Sequence, residues 1–141
     1  MLLQYTKRDA VKNFFPLPNE IFSLGLSSGA LAVYSYLLYC EDRKTYQCYP
    51  SYTSIGKSVN MSVNTVRKYV SELEEHGLIV TEPTFIITGD GRKRNGALRY
   101  TILPIQNAVD LYNQRQLRRL EETVEQMRVR KALEASREHH P

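Results

Sequence analysis

The sequence predicts a mainly helical α+β domain, built from three helices and a small β-hairpin and followed by a long C-terminal helix. Two observations carry the domain: three apolar-periodic segments each follow a serine able to cap a helix, and two β-branched segments flank the glycine-rich GDGRKRNG. A third carries the extension, since residues 105–140 contain neither glycine nor proline.

Taken in order, NFFPLPNEIFSLGL mixes aromatics with Pro16 and Pro18, which predicts an extended arm and a short helical turn around residues 19–24 packing on the core. Ser27 or Ser28 can cap the first helix. Ala30, Val33, Tyr34, Leu37 and Leu38 then follow helical spacing with little charge opposite, so this helix should be buried on most sides. RKTYQCYP has no helical period and reads as a loop or short strand before Ser51, the cap of a second, short helix through Tyr52, Ile55 and Val59.

Asn60-Met61-Ser62 predicts a tight turn with Asn60 left-handed, and Ser62 caps the third helix. On that helix Val63, Val66, Val70 and Leu73 share one face, while Lys68 centres the other with Asn64, Thr65 and Glu72 around it. Glu72, Glu74 and Glu75 are assigned to its solvent-facing far end. Gly77 fits the position just past the helix, and Leu78-Ile79-Val80 start a strand. Pro83 interrupts, so the expected hairpin pairs TFIIT with ALRYTIL around a basic tip. After Pro104, Asn107 with Asp110 resembles a capping box that opens the last helix. The expected units are therefore residues 1–26 as arm and turn, 27–104 as domain and 105–141 as extension.

The 141 residues are 42% hydrophobic and 24% charged, with a net charge of +4, which fits one core plus an extension and weakly favours an anionic partner. No apolar run approaches the roughly 18 residues of a membrane span, and the first residues do not read as a signal peptide, so a cytoplasmic protein is expected. Cys40 and Cys48 form no disulfide framework and match no zinc spacing, and His76, His139 and His140 read as surface residues. Neither a metal nor a cofactor is expected. Without G-x-x-x-x-G-K-[ST], H-E-x-x-H or G-x-S-x-G, an enzyme is not expected either.

The order helix, helix, tight turn, helix and basic hairpin is that of a winged helix-turn-helix. Recognition helices meet base edges mainly from their N-terminal end, which is where Ser62, Asn64, Thr65, Arg67 and Lys68 stand; Arg67, toward the flank, suits a phosphate. Arg92, Lys93 and Arg94, clustered with Arg99, suit a backbone or minor groove. Tyr49, Ser51 and Thr53 lie at the second helix's start, where free amides suit a phosphate. Leu117, Leu120, Val124 and Met127 step 3, 4, 3, an a/d seam that fails at Lys131 and Glu134. That seam would either dimerise or pack back on its own domain; a homodimer on double-stranded DNA is the favoured expectation.

From PLPNEIF through GALAVYSYLLYCEDRKTYQCYPS to SIGKSVNMSVNTVRKYVSELEEHGLI, roughly residues 14–104, the chain resembles the winged helix-turn-helix domains of bacterial plasmid and phage replication initiators and related mobile-element regulators. Y-P-S at 49–51, S-x-x-T-V at 62–66 and L-x-E-x-G-L-I at 73–79 carry the resemblance. Asn60 stands where such domains usually have Gly, and Val63 where many have a basic residue. The resemblance implies replication initiation or its control on a plasmid, phage or integrated element. Transcriptional regulation and a protein-binding winged helix are the alternatives, and any small-molecule effector stays open.

Overall fold

The computed structural model describes residues 12–138; residues 1–11 of the arm and the expected surface histidines His139 and His140 lie outside the described residues. A 3-10 turn at Asn19–Ser23 leads into α1 (Ser28–Cys40), β1 (Gln47–Cys48), α2 (Tyr52–Val59) and α3 (Val63–Glu75). Next come β2 (Ile79–Glu82), β3 (Phe85–Ile87), β4 (Lys93–Asn95) and β5 (Arg99–Ile102), and α4 (Ile105–Glu138) closes the chain.

Each of the first three helices starts at the expected serine. Ser27, Ser51 and Ser62 accept hydrogen bonds from the amides of Ala30, Ser54 and Thr65, satisfying donors that have no partner inside the helix. Asn60 ends α2 at φ 60°, ψ 51°, a left-handed conformation that asparagine tolerates better than most residues. Gly77 ends α3 at φ 72°, and the Leu78 amide donates to the Leu73 carbonyl at 3.0 Å, directing the chain into β2.

The α2–α3 turn is closed by a close approach. Gly56 sits inside α2, and its carbonyl accepts both the Asn60 amide and, at 2.8 Å, the Met61 amide. A Cβ on Gly56 would lie 2.4 Å from the Met61 carbonyl oxygen, so the reversal packs flat against a helix position with no side chain.

The core is continuous from arm to extension. Ile21 and Leu24 of the arm, Val33, Tyr34 and Leu37 of α1, Ile55 of α2 and Val66, Val70 and Leu73 of α3 are buried together with Tyr100 of β5 and Ala108 of α4. Val63 departs from its expected place on the buried face of α3: it is 38% exposed, because the helix lifts away from α1 at its first turn. Burial pushes the Cys48 thiol up to about 12, and the sulfur is buried against the Leu37 carbonyl, so Cys48 is a packing residue.

Three other expectations are corrected. The hairpin pairs differently: β5 lies between β1 and β2 in one antiparallel sheet, with Val80 opposite Thr101, whereas β3 pairs with β4, with Ile86 opposite Arg94. TFIIT and ALRYTIL are therefore not partners. Next, α4 begins at Ile105, and the Asn107 amide donates to the Pro104 carbonyl at 3.0 Å, so Asn107 lies within the first turn instead of capping it. Finally, Glu72 does not face solvent. One of its carboxylate oxygens accepts the Ser27 amide at 2.9 Å and the other the Ser27 hydroxyl at 2.7 Å, tying the far end of α3 to the start of α1. His76 is half-buried as well, with its Nδ1 2.9 Å from the Glu72 carbonyl.

The result is a winged helix-turn-helix α+β fold with a long C-terminal helix. Gly56→Ala tests what fixes its turn. Alanine should favour α2 by about 1 kcal/mol on helix propensity, but pressing a methyl on the Met61 carbonyl should cost about 1–3 kcal/mol. Urea unfolding is expected to show net destabilisation; a stabilised variant would mean the turn relaxes freely.

Candidate nucleic-acid interface

On α3, burial of Val66, Val70 and Leu73 turns the residues at the opposite angle outward. Asn64 and Lys68 stand on that exposed side. Ser71, one turn further on, is exposed in line with them. It was not among the expected site residues, although the 64, 68, 71 spacing marks it.

The polar groups at the start of the helix differ in their freedom. The Ser62 and Thr65 hydroxyls are 2.8 Å apart and bonded to each other, and Thr65 is half-buried, so both are engaged in the cap. The Asn64 side-chain oxygen accepts from Arg67 Nη1 at 3.1 Å, leaving its amide nitrogen to solvent. Arg67 leans over the Tyr52 ring of α2, 5.6 Å from the centroid, and Lys68 lies 5.6 Å from the Tyr69 centroid. The two cations thus stand on separate sides of the strip, with Arg67 on the flank facing α2.

Tyr49, Ser51 and Thr53 are exposed around the start of α2. The Ser51 hydroxyl caps the Ser54 amide at 3.0 Å and donates to the Ser54 hydroxyl at 2.9 Å. Its partner amides at the helix end still present a positive dipole.

The basic segment is distributed differently from a charged tip. Gly89, Asp90 and Gly91 form the turn, Arg92 follows it, and Lys93 and Arg94 belong to β4. Hydrogen bonds, first from the Thr88 hydroxyl and then from the Arg92 amide, hold the Asp90 carboxyl below the usual carboxylate range. Arg92 stands 3.7 Å from that carboxylate, Lys93 Nζ lies 3.9 Å above the Phe85 ring, and Arg94 is exposed with no ion pair among the described residues. Arg99 leaves the cluster altogether: it is paired with Glu82 across β2 and β5. The wing therefore offers three cations with one carboxylate at its turn.

On α4, Ala108 is buried and Ile105, Val109 and Tyr112 pack against the core, so Tyr112 has a core to join after all. Beyond them the helix carries Leu117, Leu120, Val124 and Met127 at 58%, 61%, 46% and 54% exposure. None of these four joins the core of its own domain. Val129 and Leu133 are also exposed and continue the apolar surface past Lys131 on a neighbouring stripe.

A family model described as "Helix-turn-helix domain" matches residues 24–79, the stretch from the end of the 3-10 turn through α3 to the first residue of β2. No curated protein matches the chain in sequence. Among solved structures, the chain is similar to a "Possible transcriptional regulator from Methanosarcina mazei Go1", with 21% identity over 74% of this chain and 82% of that one at a TM-score of 0.47. A MarR family transcription regulator is 14% identical over 83% of this chain and 73% of that one at a TM-score of 0.41. MepR of S. aureus, solved as a complex with DNA, is 14% identical over 83% of this chain and 84% of its own at a TM-score of 0.39.

Proposed function

We propose that the chain is a sequence-specific double-stranded-DNA-binding protein that lays the first half of α3 in a major groove and rests the β3–β4 wing on the neighbouring backbone or minor groove. The observation that carries this reading is the exposed strip Asn64, Lys68 and Ser71 on a helix whose other side and far end are locked into the core. A rigid helix with polar donors at its free end is suited to reading base edges.

In this reading Asn64 and Lys68 meet bases, with Ser71 behind them. Arg67 meets a phosphate from the α2 flank, and Ser62 and Thr65 hold the helix start. Tyr49, Ser51 and Thr53 offer a phosphate site at the start of α2. Arg92, Lys93 and Arg94 supply attraction that does not depend on sequence. Phe85, Ile86 and Ile87 are exposed on the wing and favour a second reading, a protein-binding module. Lys93 lies over Phe85, however, and the strand's direct partners are Lys93, Arg94 and Asn95, a polar set better matched to nucleic acid.

The resemblance to plasmid and phage initiators supports a role in replication or its control on a mobile element, in the cytoplasm of a bacterium. Regulation of chromosomal genes is the competing role. Mapping bound genomic fragments separates them: sites clustered in an origin support the first, sites in promoters the second.

Lys68→Ala and Asn64→Ala should each weaken binding to a selected duplex by about 1–3 kcal/mol and binding to random DNA far less. Equal losses on both would make them phosphate contacts. Neutralising Arg92, Lys93 and Arg94 together should weaken binding to all sequences and lower the salt slope by up to about one unit per lost phosphate contact. An unchanged slope would remove the wing from the interface.

The exposed 3, 4, 3 seam of α4 supports a homodimer, because one narrow apolar stripe suits one partner helix. Two domains joined in this way could span half-sites about one helical turn apart. Ala108 and Tyr112 belong to the core, so a diagnostic truncation falls after Asn113, not after Pro104. Sedimentation should show a dimeric full chain and a folded, monomeric truncation with weaker DNA binding. A monomeric full chain would remove the seam as a dimer interface.

A further inference from the structure

Away from the α3 surface, a cavity of about 360 Å³ lies where the end of α1, the 41–47 loop and the entry to α4 meet. That volume is at the lower end of the roughly 300–1,000 Å³ typical of small-molecule sites. Leu38, Pro18 and Ile105 make its walls apolar, and Tyr34, Tyr46 and Glu41 add the polar groups.

Glu41 is the unusual member. It follows the last turn of α1, where the helix carbonyls already make the surroundings negative. One of its carboxylate oxygens is sealed from solvent and has no hydrogen-bond partner. Leaving such an acceptor unpaired is costly, and native proteins do so chiefly where a ligand or ion completes the site. Burial raises the carboxyl's pKa; Arg43 lowers it in turn, yet makes no ion pair with it among the described residues.

Tyr46 supplies a second, independent sign. Its backbone is left-handed at φ 59°, a strained conformation for a bulky residue. The surroundings enforce it: the Tyr46 amide donates to the Asp42 carbonyl at 2.7 Å, and its carbonyl accepts the Ile102 amide at 2.9 Å. Strain of this kind persists where the fold holds a side chain for use, and here it sets an exposed phenol ring at the cavity mouth.

We infer that this cavity binds a small organic cation, an alkyl- or arylamine, with its ammonium on the Glu41 carboxylate and its apolar body between Tyr34, Tyr46 and Leu38. The unpaired acceptor supplies the charge-assisted hydrogen bond, and the two phenol rings favour a cation over a neutral guest. Leu103, Pro104 and Ile105 line the same cavity, so an occupant touches the joint from which α4 leaves the domain. The inference does not depend on DNA binding.

Titration calorimetry on the full chain tests it with phenethylamine and its neutral counterpart phenethyl alcohol. The amine should bind one site per chain at least about tenfold more tightly than the alcohol. Glu41→Gln should remove that preference. Tyr46→Gly, which relieves the left-handed strain and deletes the ring, should leave the fold intact by circular dichroism and weaken the amine severalfold. Equal affinity for amine and alcohol, amine binding untouched by both variants, or no binding of either compound would each overturn the proposal.

Discussion

The presentation of α3 depends on the contact between Gly56 and the Met61 carbonyl. Two helices joined by so short a turn can cross in few ways, and the turn here is held from both sides. The Gly56 carbonyl takes two amides from the reversal, and the bare Gly56 Cα lets the Met61 carbonyl approach. Asn60 provides the left-handed step that turns the backbone back. With the crossing fixed, Val66 faces Ile55 and α1 across the core, and Asn64 and Lys68 are left on the outside without any further device.

The far end of α3 is fixed by a different interaction. Glu72 accepts both donors of Ser27, so one carboxylate satisfies the entry to α1 while anchoring the third helix over it. Charge-assisted bonds of this kind outweigh ordinary neutral ones. The division of labour along α3 follows: its second half is committed to the fold, and its first half is free to meet a partner. The three glutamates do not act as one solvated end, since Glu72 is structural, Glu74 accepts from the Thr81 hydroxyl, and Glu75 alone faces water unpaired.

Helix starts, the left-handed Asn60 and the Gly77 stop were legible because each rests on local chemistry within four residues. Strand pairing was not. Pro83 was read as the end of pairing, but β2 finishes its ladder at Glu82 just before it, and Lys-Arg-Asn, poor in strand formers, is held in β4 by the turn and by β3. Glu72 was misread because its partner lies 45 residues away, beyond any helical period. Pro104 could have revealed the start of α4, as proline commonly stands at a helix entrance. Asn64, Arg67 and Lys68 were legible as an exposed set; Ser71 was missed because a serine carries no charge to draw the eye.

Backbone amide chemical-shift mapping tests most directly whether the free half of α3 is the reading surface, using the full chain and a duplex selected from random sequence. The account predicts shifts concentrated at residues 62–71 and 92–95 and around Ser51, while the signals of Leu73 and Leu78 in the anchored half of the core stay in place. Shifts confined to α1 or to the exposed seam of α4, with residues 62–71 unmoved, would contradict it.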